Sequence, residues 1–583
     1  MTTLYKCEVH YRDYTEWTYS PPHTHLGNPL DYKCFDGDEI RFDGENVTIV
    51  DSPVRKTLNI PGVLLLENNR TFGRTANKKR LYYKCRPNDT KLPHFLVPFD
   101  MPMGFNKNFR NKYVTFYFDH WRDKHPCGIL SQNLGDVYQY EPYCEYALYC
   151  KQLHDSITPS INKTKKLLIE KPIFEYQQTI LNTPDQYGSF ENREKDTIIS
   201  IDPPGCVDRD DAISICTLGD HSYRVSVYIA NVWVWLECFD LWDLIGSRVS
   251  TVYFPHMKRP MLPTAIGEQL CSLDQDHRRF GFVMDFDFVS LSDGSYIIKN
   301  TPTLVQCILN VSHNYDYEED ALLQSANYRE LLKMTKTLDP TVKDSHDVVS
   351  HWMLRMNWEV ACRMKERKMG IFRTVRSRCP SAPIPEHMPA FLRIWEQQLS
   401  GAYQCYASDT KDYSHEVLGL SEYTHFTSPI RRMVDLVNQL EWVHVCICPL
   451  DLREKVISFY RNQKQDLDSL NGKMKKIRRL QSDCEMLHYV NTHPESLEKT
   501  YESIVVSNTD KHSTLYIESL KLLTTVKVTQ PLIKYDKVKC QLYVFEKEEQ
   551  MKKKIRVQLL PYDAIETTSQ VSNIESTSNM GAA

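Results

Sequence analysis

Apolar and polar positions change their rhythm along the chain. In the N-terminal third the apolar residues come as short β-branched and aromatic runs: Asn59-Ile-Pro-Gly-Val-Leu-Leu-Leu-Glu67, Leu81-Tyr-Tyr-Lys-Cys85 and Lys112-Tyr-Val-Thr-Phe-Tyr-Phe-Asp119. Short strands at this spacing, parted by Gly- and Asn-containing turns, suit small β-barrels. Further on, Thr197-Ile-Ile-Ser-Ile201 predicts a buried strand, Pro203-Pro204-Gly205 breaks it into a loop, and Ala212-Ile-Ser-Ile215 resumes a strand pattern. Strands alternate with helices here, and the chain turns mainly helical after about residue 320. His351 to Met364 and Ile430 to Val443 have helical apolar spacing, and Asp451 to Val490 predicts one or two long helices. Short strands return from Tyr501 to about Pro561, as in Ile504-Val-Val and Cys540-Gln-Leu-Tyr-Val-Phe545. The tail from Ala564 is rich in Ser, Thr and Asn, and disorder is expected there. The fold class expected is multidomain α+β, with β-barrels at both ends of a central mixed α/β region.

Composition narrows the function classes. A chain of 583 residues exceeds one ordinary core, so two to four domains are expected. With a net charge of −4 the whole-molecule field does not attract polyanions, so any nucleic acid must be held by local basic patches. The 18 cysteines include no C-x₂-C pair, which argues against zinc knuckles and for buried thiols in a reducing compartment. The N-terminus has no signal-peptide apolar stretch, and the most apolar longer segment, Tyr223 to Gly246, is interrupted by Arg224, Glu237, Asp240 and Asp243. An intracellular, cytoplasmic protein without a membrane span is expected.

The loop after Ile201 carries the densest chemistry. Asp202, Asp208, Asp210 and Asp211 crowd into ten residues. Like charges this close repel unless a divalent cation joins them, and Mg²⁺ takes oxygen ligands while leaving positions for water and phosphate. A solvated acidic loop or a Ca²⁺ loop would carry similar residues, but twelve residues counted from Asp208 end at Gly219, not at the glutamate that closes an EF-hand. Downstream, Ser428-Pro429 suits a helix start and places Arg431 and Arg432 in the first turn. Cations oppose the dipole there, whereas a guanidinium fork beside free N–H groups suits a phosphate. An ordinary surface Arg pair is the alternative.

Together these segments resemble the RNB family of exoribonucleases. Asp202, five residues, then Asp208-Arg-Asp-Asp-Ala212 matches the family's first signature, and Tyr423-Thr-His-Phe-Thr-Ser-Pro-Ile-Arg-Arg432 its second. Arg248-Val-Ser-Thr-Val-Tyr-Phe-Pro255 and Met261 to Leu273 resemble the block between them, so the resemblance covers about residues 190 to 495. The wording of the first signature is most similar to the Dis3 branch.

The resemblance implies cold-shock or OB-like domains over 1–100 and 101–185, an RNB catalytic domain over 186–497 and an S1-like OB domain over 498–563, before a disordered tail at 564–583. It leaves little room for a PIN domain, so exosome association is not expected, and a monomer is. It also implies hydrolysis of single-stranded RNA from 3′ to 5′, releasing nucleoside 5′-monophosphates, with two Mg²⁺ ions (or Mn²⁺) held by Asp202, Asp208, Asp210 and Asp211. Asp210 is the expected central catalytic carboxylate and Arg431 the contact to the scissile phosphate. Tyr253, Phe372, Arg373, Ser428 and Arg432 are expected to touch RNA near the reaction. Lys475 and Lys476, in the basic run Lys473 to Arg479, are candidates to line its path, a solvated helix face being the alternative. In the barrels, candidate contacts are Lys78, Lys79, Arg80, Tyr113 and Trp121, because OB folds hold single strands by stacking and basic grooves, a plain surface or core role being the alternative for each.

There are departures from the family. Tyr228 and Asn231 replace a His and an Asp, no histidine follows Arg373, and Met369 falls near the position of a stacking phenylalanine. An inert RNA-binding protein on the same scaffold would be favoured by loss of any of the four aspartates, and all are present. A nuclease acting on DNA is the other alternative.

Overall fold

The computed structural model describes residues 3–23, 25–67, 70–76, 79–100, 109–219, 221–377, 385, 388–389, 392, 401–409, 411–448, 453–547 and 551–560. Lys78 and the tail from Ala564 lie outside them. The chain forms two compact units, Met1–Ile384 with Met388–Glu485, and Pro385–His387 with Met486–Ala583.

The first unit begins with a four-stranded sheet of Trp17–Ser20, Leu4–Val9, Glu39–Phe42 and Val47–Asp51. A six-stranded sheet follows, ordered Ile60–Leu64, Lys112–His120, Cys127–Asp136, Phe95–Phe99, Leu81–Pro87 and Thr71–Arg74, and pairing of Ile60–Leu64 with Leu81–Pro87 closes the first five into a barrel. The division expected between residues 100 and 101 runs through this sheet, since Phe95–Phe99 and Lys112–His120 both pair with Cys127–Asp136. A boundary there would strand backbone N–H and C=O groups that the ladder satisfies. Both sheets also share one core, in which Phe35 stacks on Phe95 at 5.7 Å between ring centroids.

That core corrects two expected RNA contacts. Trp121 is buried, its ring 4.8 Å from Phe35, and Tyr113 is buried against Tyr146 with centroids 4.3 Å apart. Neither ring has a face left for a base.

The central region is a seven-stranded sheet. Its order is Glu191–Asn192, Leu304–Asp316, Ile198–Asp202, Asp211–Gly219, Ser222–Ala230, Arg278–Ser290 and Tyr296–Ile298, and pairing of Arg278–Ser290 with Leu304–Asp316 closes five of these into a second barrel. Val225, Val227, Ile229, Phe282, Met284 and Leu309 fill its core. Ile198–Asp202 runs parallel to Leu304–Asp316 and antiparallel to Asp211–Gly219. The acidic loop therefore joins two adjacent strands at one end of the barrel.

Helices Ser345–Glu366, Met433–Trp442, Glu454–Gln465 and Leu467–Thr492 complete the region. The helix expected from Ile430 starts at Met433. The Arg431 carbonyl accepts from the Thr251 N–H (3.0 Å) and the Ser250 hydroxyl (2.8 Å), and the Ile430 N–H donates to Asp210 (2.8 Å), so these backbone groups serve neighbouring segments.

In the second unit, five antiparallel strands run in the order Leu522–Lys527, His512–Ile517, Thr500–Asn508, Lys537–Lys547, Lys552–Leu559. Val505, Leu515, Ile517, Cys540 and Leu542 form their core. Among the described residues the cysteines are free thiols, and no helix is long and apolar enough to cross a membrane.

Candidate active site

Strand ends and one hairpin position the aspartates. Asp202 is the last residue of Ile198–Asp202 and Asp211 the first of Asp211–Gly219. Between them, Gly205 takes φ +75°, a conformation L side chains rarely adopt, which lets the chain turn back after Pro203-Pro204. Arg209 leaves the loop sideways to Asp274 at 2.8 Å, with its Nε 3.5 Å from Asp202. Its neighbours Asp208 and Asp210 face a cavity of ≈ 790 Å³ together with Asp202, Asp211, Tyr253, Ser428, Arg431 and Arg432.

Each carboxylate has a distinct environment. Asp210 is 2 % exposed; one oxygen accepts the Ile430 N–H at 2.8 Å, the other Arg431 Nε at 2.9 Å. Burial outweighs the attraction of Arg431 and pushes its pKa up to about 7. Asp211 is raised well above the carboxylate range by burial and then by the charges of Asp202 and Asp210. Burial likewise raises Asp202, whose Oδ2 is buried without a hydrogen-bond partner. Asp208 accepts the Tyr253 hydroxyl at 2.9 Å and Lys258 Nζ at 3.3 Å. Tyr253 and Lys258 face each other across the hairpin Val252–Phe254 with Met257–Arg259, so one turn delivers both.

These observations fit a divalent cation. The donors are all oxygen, Asp202 Oδ2 has only the Arg209 guanidinium at 3.5 Å, and burial, joined at Asp211 by repulsion from Asp202 and Asp210, raises acids that a cation would hold ionised. The four aspartates line the cavity without drawing onto one point. The described group whose ligand atoms all lie within 4.8 Å of one another is Asp344, His346 and Asp347, and two of the three are exposed.

The second signature forms the opposite wall. Arg431 is 46 % exposed towards solvent, and one of its NH₂ groups donates to the Ser428 hydroxyl at 3.2 Å. Arg432 pairs with Asp435 at 2.9 Å. Behind it lies a smaller cavity of ≈ 150 Å³ lined by Arg373, Tyr403, His425, Arg432, Lys475 and Arg478 among others. Lys476 is exposed and lines neither cavity. Phe372 corrects another expectation: it is fully buried, 4.4 Å from the Tyr413 ring, because alternation along Ile371–Thr374 sends Arg373 and Phe372 to opposite sides. Met369 is buried too. Lys79 and Arg80 lie outside both cavities, Arg80 pairing with Asp100 at 2.8 Å.

Two of the departures from the family pattern, Tyr228 and Asn231, do not line the cavity. Tyr228 donates to Asp196 at 2.9 Å, and Asn231 to Gln306 at 2.9 Å. Residues that sequence reasoning missed are Lys258 and Asn438. The amide of Asn438 accepts the Ile371 N–H and donates to the Ile371 and His425 carbonyls and to the Thr424 hydroxyl, pinning the signature strand in place. The short run Val252-Tyr-Phe-Pro-His-Met-Lys258 is the hairpin signal that could have revealed Lys258. A lone Asn on an apolar helix carries no comparable signal.

Comparison with known proteins agrees with this construction. The RNB domain matches residues 191–339 and 382–446. Exosome complex exonuclease RRP44 of Homo sapiens is 25 % identical over 404 residues, covering 56 % of this chain and 41 % of that protein. The chain spans less than half the length of the exosome exonucleases it matches. In fold it is similar to Mycoplasma genitalium RNase R in complex with ribose-methylated single-stranded RNA, with a TM-score of 0.65 at 15 % identity over 96 % of this chain and all of that one. Yeast Ssd1, a pseudonuclease, is similar over 90 % of this chain and 78 % of its own, with a TM-score of 0.54 at 14 % identity. The acidic loop at the barrel end and the arginine that reaches it from the second signature both lie within the residues that the RNB domain matches.

Proposed function

We propose that the chain is a divalent-metal-dependent exoribonuclease that degrades single-stranded RNA from 3′ to 5′ and releases nucleoside 5′-monophosphates. The observation that carries this reading is the convergence of Asp202, Asp208, Asp210 and Asp211 with Arg431 on one cavity. Two Mg²⁺ or Mn²⁺ ions bound there would supply an activated water and charge stabilisation at the leaving 3′-oxygen.

The chain's own residues do the rest. Asp210 spends one lone pair of each oxygen on Ile430 and Arg431 and retains the others for a ligand. Its grip on Arg431 Nε aims the remaining guanidinium N–H groups at a phosphate in the cavity. Tyr253, tied to Asp208 through its hydroxyl, holds its ring at the cavity wall, where it can stack on a base near the 3′ end. A catalytic domain over about 186–497 and an S1-like domain over 498–563 follow from the same reading, with the N-terminal sheets holding the incoming strand.

The test is digestion of 5′-labelled single-stranded RNA by the full chain with Mg²⁺. A ladder shortening from the 3′ end, abolished by EDTA, is expected. Undiminished cleavage in EDTA, or rapid cutting of a circular strand, would overturn the reading. Binding without cleavage would assign the chain to inert RNA-binding proteins, and equal digestion of DNA to a less selective nuclease.

A further inference from the structure

The smaller cavity behind Arg432 has a charge pattern of its own. Asn471, Lys475 and Arg478 lie on one face of helix Leu467–Thr492, at the spacing of successive turns. Opposite them, Arg373 and Tyr403 pair across strands Ile371–Thr374 and Ala402–Cys405, with the Arg373 guanidinium 5.1 Å from the Tyr403 ring centroid. The Asn471 amide accepts the Tyr403 N–H at 2.9 Å and donates to the Tyr403 carbonyl at 3.0 Å, which locks helix and strand together. These walls are therefore preorganised.

Cations inside them lack counter-charges. Arg432 has Asp435, but among the described residues no carboxylate pairs with Arg373, Lys475 or Arg478 within 4.0 Å, and no acid lines the pocket. Burial, and then the charges of Arg478 and Arg432, depress the pKa of Arg373. His425 stays neutral for the same reasons, its Nδ1 2.7 Å from the Tyr403 hydroxyl, and adds no charge of its own. An anion would relieve this repulsion. Lys475 and Arg478 are exposed like Lys476 and Arg479, and what sets them apart is that they line the pocket together with Arg373 and Arg432.

Arg432 and His425 line both this pocket and the larger cavity, so the two adjoin through those side chains. We infer that the pocket is a phosphate site that takes up the 5′-phosphate of the nucleotide released in the adjoining cavity. This rests on the exonuclease reading for the source of that phosphate. A phosphomonoester carries about −1.5 to −2 charges at neutral pH, against one for a phosphodiester in a strand, and unpaired cations favour the dianion. Transit phosphates of the RNA strand are the competing source.

Binding of adenosine 5′-monophosphate, inorganic phosphate and adenosine to the full chain, measured by calorimetry in EDTA, tests the inference without requiring activity. Removing metal takes away the cations that would hold a phosphate in the aspartate cavity, and the binding that substitutions at Lys475 and Arg478 abolish reports the basic pocket. The monophosphate and inorganic phosphate should bind and adenosine should not. The variant with Lys475→Gln and Arg478→Gln should lose at least tenfold in affinity, while Arg478→Lys, which keeps the charge, should retain most of it. If the double variant melts lower than the parent, Arg478→Gln alone replaces it. No phosphate binding, or binding unchanged in the variants, would overturn the pocket. Loss of affinity for a short 3′-hydroxyl RNA, with no binding of the monophosphate, would assign the site to strand phosphates and overturn the product role. Should the chain prove inactive, phosphate binding lost in the variants would leave the site standing and remove only its assigned source.

Discussion

Asp210 concentrates the site in one side chain. It is buried, its acidity is weakened by that burial, and it accepts from two residues of the second signature. Asp210→Asn should lower kcat by more than about 100-fold, beyond the 10–100-fold typical of groups that merely support a metal ligand, while RNA binding persists. Single-turnover cleavage and a filter-binding titration of the same preparation check this; a loss within about tenfold would make Asp210 a supporting residue. The aspartates and Arg431 were legible in the sequence because like charges packed so closely demand a reason. Lys258 was not, since its partner Asp208 lies fifty residues away and only the hairpin brings them together. Phe372 misled for a related reason: in a short apolar strand, alternation does not say which face is the core.

At the scale of elements, the strands were legible and their grouping was not. Both N-terminal sheets share the core around Phe35, a fact that no local pattern records, and so the division near residue 100 failed. The barrel also carries a basic surface. His94, just before strand Phe95–Phe99, has its pKa lowered to about 3 by burial and by Lys84, Arg12, Arg86 and His125. A depressed histidine is neutral in the folded state, so its contribution to stability is whole above pH 6.5 and is lost as pH falls from there towards 3. His94→Gln should therefore melt progressively higher than the parent as pH drops from 7 to 4, with a constant offset above 7. Melting temperatures of the two proteins across that range give the answer, and an offset independent of pH would deny the linkage.

For the whole molecule, net charge and local charge point in opposite directions. A chain at −4 repels RNA at a distance, so affinity must come from local cationic groups such as Arg431 and Lys258 in the larger cavity. Binding to single strands should then weaken steeply with salt, by roughly 0.7 in the logarithm of affinity per logarithm of salt for each phosphate neutralised. Titrations of uncleavable RNA between low and physiological salt measure that slope; a value near zero would mean that stacking alone holds the strand. The contact between Asp210 and Arg431 joins positions 221 residues apart, and this has a consequence for biosynthesis. Ribosomes add about 5–20 residues per second and domains fold from the N-terminus as they emerge. For a period on the order of ten to forty seconds at that pace, each nascent chain exposes an acidic loop without its arginine. A site built this way stays incomplete until translation has passed its second signature.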